Sequence, residues 1–133
     1  LARKSDKYLL LENEPVCNIQ TFKDLAFFFN KYSFSRIFPL PDLGNDTEIN
    51  SMSGLQDLAQ ILPMSPCIHI KDYSWNELSY VIVGNGDSCI EKCLNLLENQ
   101  NINPVLTLET HISLDRKNAS QRSIEAIKRM VRF

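Results

Sequence analysis

Four residues in this chain could do chemistry together: Glu12, Asp42, His69 and Glu109. Glu12 ends the apolar run Tyr8-Leu9-Leu10-Leu11, and Asp42 follows Arg36-Ile37-Phe38-Pro39-Leu40-Pro41. His69 lies inside Cys67-Ile68-His69-Ile70-Lys71, and Glu109 ends Val105-Leu106-Thr107-Leu108. Successive members are 30, 27 and 40 residues apart, each gap fitting about one strand-plus-helix unit. In a parallel barrel every strand opens on the same face at its C-terminus. Three carboxylates and one imidazole would therefore converge there. Oxygen-rich ligation with a single nitrogen suits a divalent cation, Mn²⁺ or Mg²⁺ first and Zn²⁺ or Co²⁺ next. Taken singly, each residue has a plainer reading. Glu12 and Glu109 could be solvated strand ends, Asp42 a turn residue in Pro-Asp-Leu-Gly, and His69 a satisfied core histidine.

The elements that must position them follow from periodicity. A helix is expected from Thr21, with Phe22, Leu25, Ala26 and Phe29 on one face and Thr21/Asp24 as a capping pair. A second is expected from Ser53, with Gln56 three residues on, burying Leu55, Leu58, Ala59 and Leu62 before Pro63 stops it. After the third strand, a further extended stretch, Tyr80–Val83, runs into Gly84-Asn85-Gly86-Asp87. A helix then begins with Ser88/Glu91 as a capping box and buries Ile90, Cys93, Leu94 and Leu97. The last helix is expected from about Ser120, burying Ile124, Ile127 and Val131, and Gly44 to Ser53 reads as a loop. Strands alternating with helices imply parallel pairing and an α/β fold. Pro39, lacking an N–H, weakens the second strand's ladder and makes Asp42 the least firmly placed of the four.

Composition narrows the function classes. The 133 residues carry 14 Lys and Arg against 16 Asp and Glu, a balance that argues against a nucleic-acid or anionic-membrane binder. No apolar run approaches the roughly 20 residues of a membrane span. No signal or transit peptide is visible, which favours a cytoplasmic protein, and a start at Leu1 rather than Met suggests a fragment. Cys17, Cys67, Cys89 and Cys93 form no C-x-x-C pair and read as small apolar residues in a reduced compartment. The sequons at Asn45 and Asn118 carry no information without other signs of secretion.

Five short motifs in order give a resemblance. Leu9-Leu10-Leu11-Glu12-Asn13 resembles an apolar strand ending in Glu-Asn, and Asp42-Leu43-Gly44-Asn45 resembles Asp-Pro-Gly-Asn. His69-Ile70-Lys71-Asp72 matches His-x-Lys-Asp, Gly84-Asn85-Gly86-Asp87 resembles Gly-x-Gly-Asp, and Leu108-Glu109-Thr110-His111 resembles Leu-Glu-Pro-His. Together they resemble the xylose isomerase-like TIM-barrel superfamily, which includes sugar-phosphate isomerases and epimerases and family 2 AP endonucleases. The resemblance implies a single domain over residues 1–133, four βα units forming the C-terminal half of a (β/α)₈ barrel with the N-terminal half absent. A full barrel needs about 250 residues. Four parallel strands alone have open edges, so the half is expected to pair with the missing barrel half or with another copy of itself.

By the same resemblance, Glu12, Asp42, His69 and Glu109 match the metal ligands. Glu12 and Glu109 also match the acid/base carboxylates, and Lys71 and His111 would lie near the oxygens of a sugar or sugar phosphate. Leu43 and Thr110 stand where Pro is usual, and Asn85 where an acidic residue is common. The implied function is metal-dependent isomerisation or epimerisation through an enediolate. The alternatives are a catalytically inactive barrel remnant or carbohydrate-binding module and, further off, an AP endonuclease. The nuclease's zinc site needs many histidines, whereas this chain has two and carries Asn45 at a position where the nuclease pattern has His.

Overall fold

The structure, a computed structural model, describes residues 6–49 and 54–131. In chain order its elements are β1 (Leu9–Glu12), α1 (Phe22–Lys31), β2 (Ile37–Leu40), α2 (Leu43–Ile49), α3 (Leu55–Ile61) and β3 (Cys67–Ile70). There follow β4 (Asp72–Ser74), β5 (Ser79–Val81), α4 (Ile90–Gln100), β6 (Val105–Leu108) and α5 (Arg116–Met130). β1 pairs with β2 and β3 with β6, both in parallel. An isolated parallel bridge, Asp42 to His69, joins the two pairs, with His69 N donating to Pro41 O at 2.9 Å. The strand order is therefore β1-β2-β3-β6, all parallel, as the four apolar runs predict.

Strand residues alternate between faces. The register sets Glu12, Asp42, His69 and Thr107 on one face, and continuing the alternation past β6 brings Glu109 to it. Ile68 and Ile70, on the other face, are fully buried in a core that includes Phe22 and Leu25 of α1, Leu58 and Ile61 of α3, and Ile90 and Cys93 of α4. Burial of each large apolar side chain contributes roughly 1.5–3 kcal/mol. Thr21 caps α1 as expected. Its hydroxyl accepts from Asp24 N at 3.2 Å, and Asp24 Oδ2 accepts from Thr21 N at 3.0 Å.

Several expectations need correction. Residues 44–49 of the supposed loop belong to helix α2, which begins at Leu43 and has five buried residues. Its polar residues are held by internal hydrogen bonds, which hides the burial from a hydropathy reading. Ser53, the expected helix start, lies outside the described residues. Leu58 in α3 and Leu62 just after it are buried as expected, Leu55 and Ala59 are only half-buried, and Ile61 is buried in addition. Pro63 lies in a 3₁₀ turn, Leu62–Met64, that follows the helix.

The Ser88/Glu91 box does not form. Cys89 is the N-cap of α4, because the Ser88 hydroxyl instead accepts from Tyr73 N at 3.0 Å. The stretch expected at 80–83 is strand only to Val81, the second arm of an antiparallel hairpin with β4. The helix expected at Ser120 starts at Arg116, after Asp115 as N-cap. It buries small residues, Ala119, Ser123 and Ala126; Ile124 is exposed, and Ile127 and Val131 are half-buried. Cys89 and Cys93 are buried, with burial pushing the Cys93 thiol up to about 12, but Cys17 is exposed. No helix among the described residues is long and apolar enough to cross a membrane.

Candidate metal centre

The four candidate residues meet. One ligand atom from each of Glu12, Asp42, His69 and Glu109 lies within 4.8 Å of all the others. His69 Nδ1 is the hub, 3.0 Å from Glu12 Oε1, 3.6 Å from Asp42 Oδ2 and 3.8 Å from Glu109 Oε2. Glu12 leaves β1, Asp42 follows β2, His69 sits in β3 and Glu109 follows β6, so adjacent strand ends each supply one group.

Asp42 is in place despite two prolines nearby. Its backbone N–H donates to Asn13 Oδ1 at 2.8 Å, and its carbonyl accepts from Asn13 Nδ2 at 3.0 Å. Its Oδ1 accepts from Asn45 N at 2.8 Å, as an N-capping carboxylate does. Its Oδ2 is buried and accepts no hydrogen bond of good geometry. A buried carboxylate oxygen left this way costs free energy unless a cation faces it. Lys71 Nζ lies 3.2 Å away.

Lys71 is also placed within the site. Its ammonium is almost wholly buried, 2.8 Å from Glu109 Oε2. Gly44 makes room for its stem, since a Cβ there would collide with Lys71 Cγ. The Tyr80 ring covers the ammonium, with Nζ 5.2 Å from its centroid. His111 is half-exposed at the margin, Nε2 3.5 Å from Glu109 Oε2 and its ring against Tyr80.

Charges set the protonation. The hydrogen bonds and charge of Asp42 and Glu12 raise His69 to about 10, against the opposing effect of burial. Burial would lower Lys71, but the charges of Asp42 and Glu109 outweigh it and hold the ammonium above its usual value. Burial likewise works to raise Glu109, yet Lys71 outweighs it and keeps that carboxyl below its usual range. Burial pushes Asp42 up, against the pull of His69 and Lys71.

The donor set fits a divalent ion: three carboxylates and one imidazole whose ligand atoms lie within 4.8 Å of one another, with one buried carboxylate oxygen that accepts no hydrogen bond. Glu12, Asp42, His69 and Glu109 are the residues that could hold it.

Two contributors went unseen in the sequence. Tyr80 reaches the site from the β4–β5 hairpin and donates its hydroxyl to Asn45 Oδ1 at 3.0 Å and to Glu48. Burial, then Glu48, raises the Tyr80 hydroxyl's pKa, so it remains a donor. Asp72 is buried and accepts from the backbone N–H groups of Gly84, Gly86 and Ser88, fixing the loop before α4. Its place in His-x-Lys-Asp was the available signal; for Tyr80 there was none.

No known family profile matches this sequence, and no curated protein matches it. Solved structures do. 3-Keto-D-glucoside 4-epimerase YcjR from E. coli is similar over 96% of this chain and 48% of its own, at 16% identity and a TM-score of 0.73. A xylose isomerase-like TIM-barrel protein from Mycobacterium smegmatis, in complex with magnesium, is similar over 97% and 45%, at 20% identity and a TM-score of 0.71. The IOLI protein with a bound zinc atom is similar over 92% and 46%, at 18% identity and a TM-score of 0.67. The chain spans about half the length of the structures it matches. It has the fold of one half of a TIM barrel.

Proposed function

We propose that this chain is the C-terminal half of a metal-dependent sugar or sugar-phosphate isomerase or epimerase, and that its activity belongs to the completed eight-unit barrel. The observation that carries the reading is the convergence of Glu12, Asp42, His69 and Glu109 at four adjacent strand ends. The metals named for two similar structures, magnesium and zinc, support a divalent ion here, and the epimerase named for a third supports sugar chemistry.

When bound, the ion would supply a Lewis acid that lowers the cost of negative charge on the substrate's carbonyl and hydroxyl oxygens. The chain's own residues do the rest. Moving a proton at the carbon beside a carbonyl needs a base on one face and an acid on the other. Glu12 and Glu109 take these roles in addition to ligation. Lys71 donates from its buried ammonium toward a substrate oxygen, held there by Asp42 and Glu109. His111, at the rim, binds an outer hydroxyl or a phosphate.

Solvent exchange tests the reading. Ketopentoses, ketohexoses and their phosphates are incubated with the full-length protein and Mn²⁺ in D₂O. Deuterium should enter at the carbon next to the carbonyl, and Glu12→Gln should abolish the incorporation. No incorporation into any of these substrates by metal-loaded wild type would contradict it. A non-catalytic binding module is the second reading, favoured by Lys71 and His69, which already set two cations against the carboxylates. That reading expects no uptake of metal.

A further inference from the structure

We infer that Asn13 and Asn45 form a lock that positions Asp42 as a ligand, an inference that rests on the metal-site reading above. The end of β2 is poor in donors, since Pro39 and Pro41 have no N–H. The backbone ladder between β1 and β2 stops at Glu12 paired with Leu40. Beyond it the chain turns away, with Glu14 N donating to Ile19 O at 2.8 Å. Asp42 would then leave the sheet without a partner on its β1 side.

The Asn13 side chain supplies the missing rung. A carboxamide presents one acceptor and one donor, as a peptide group does. Its Oδ1 takes the Asp42 N–H at 2.8 Å and its Nδ2 gives to the Asp42 carbonyl at 3.0 Å. Both residues are fully buried. Asn45 closes the loop. Its backbone N–H donates to Asp42 Oδ1, and its Nδ2 donates to Asn13 O at 2.9 Å. Asn45 Oδ1 is in turn tied to the Tyr80 hydroxyl. Backbone and Oδ1 of Asp42 are thereby fixed, and Oδ2 is left facing His69 and Lys71. Partners that orient a ligand in this way typically carry about 10- to 100-fold of metal affinity.

The test separates positioning from general stability. Mn²⁺ affinity is measured by calorimetry on the full-length wild type, Asn13→Ala and Leu58→Ala, at a temperature where all three are folded. Leu58 is fully buried in the core and no part of the lock, so its truncation imitates a purely structural loss. Asn13→Ala should bind Mn²⁺ about 10- to 100-fold more weakly, with faster hydrogen exchange at the Asp42 amide, while Leu58→Ala keeps wild-type affinity. If Asn13→Ala does not fold, Asn45→Ala replaces it; that change keeps both backbone bonds of Asp42 and should also weaken binding. Wild-type affinity in the lock variants, or an equal loss in Leu58→Ala, would overturn the lock alone. No Mn²⁺ uptake by wild type would overturn the metal reading and the lock with it.

Discussion

Asp46→Asn should make the protein more stable at neutral pH and remove a pH dependence. Asp46 lies one turn after Asp42 on α2 and is 1% exposed. Its Oδ1 accepts from Phe22 N at 2.7 Å, at the start of α1, while its Oδ2 is buried without a hydrogen bond. Burial raises its pKa to about 6 from an ordinary 3.8. The charges of Asp57 and Asp24 add to the rise, and the Phe22 N–H opposes it. A shift of that size is about 3 kcal/mol at 1.36 kcal/mol per unit. The folded state therefore holds this proton more tightly than the unfolded chain. Below about pH 3.8 the contribution is fully present, it is lost as pH rises through about 6, and above that the buried charge is a constant burden. Asparagine keeps the acceptor for Phe22 N and carries no charge, although its amide N–H groups need partners and offset part of the gain. Urea unfolding of both proteins at pH 4 and pH 8 measures the effect, because the other titrating groups cancel in the difference. The variant's stability relative to wild type should rise by about 2–3 kcal/mol between the two conditions. A difference unchanged with pH would mean that Asp46 is not held protonated by burial.

Three further changes have expected outcomes. Gly86→Ala should cost about 1–3 kcal/mol in urea unfolding, because its Cβ would collide with the Asp72 carboxylate and with Tyr73 O at 2.6 Å. Leu58→Ala, in the fully buried centre of the core, should cost about 2–5 kcal/mol by the same assay. Tyr80→Phe should cost about 1–3 kcal/mol, since Asn45 Oδ1 and Glu48 lose their shared donor, and a double-mutant cycle with Asn45→Ala should show coupling.

The parallel strands were legible because runs such as Leu9-Leu10-Leu11 and Val105-Leu106-Thr107-Leu108 are short, apolar and punctuated. The polar residues ending them, Glu12 and Glu109, mark the site because such runs end on one barrel face. Helix α2 was not legible. Asn45, Asp46 and Thr47 look like loop residues, and Asn45 and Asp46 are held by partners 24 to 35 positions away, Phe22 and Tyr80 among them. Asp42 looked insecure because Pro39 and Pro41 remove donors. The compensation comes from the Asn13 side chain, which no pattern of backbone propensity reveals. The hairpin that delivers Tyr80 was hidden for a similar reason: the sequence signals an extended stretch at Tyr80–Val83, but only tertiary pairing shows that Asp72–Ser74 runs antiparallel to Ser79–Val81. In α5 the buried face is made of Ala119, Ser123 and Ala126, so a search for large apolar residues selects the wrong stripe.

Glu12, Asp42, His69 and Glu109 are expected to bind one divalent ion together. Calorimetric titration of the full-length protein with Mn²⁺, comparing wild type with His69→Ala, tests it most directly. His69 Nδ1 lies within 3.8 Å of an oxygen of each of the three carboxylates. Wild type should bind one Mn²⁺ per chain, and His69→Ala should bind at least about 10- to 100-fold more weakly, since removing a ligand costs no less than removing a partner that orients one. Equal affinity in the two proteins would leave His69 no role as a ligand, and no binding by wild type would mean that the four residues hold no ion.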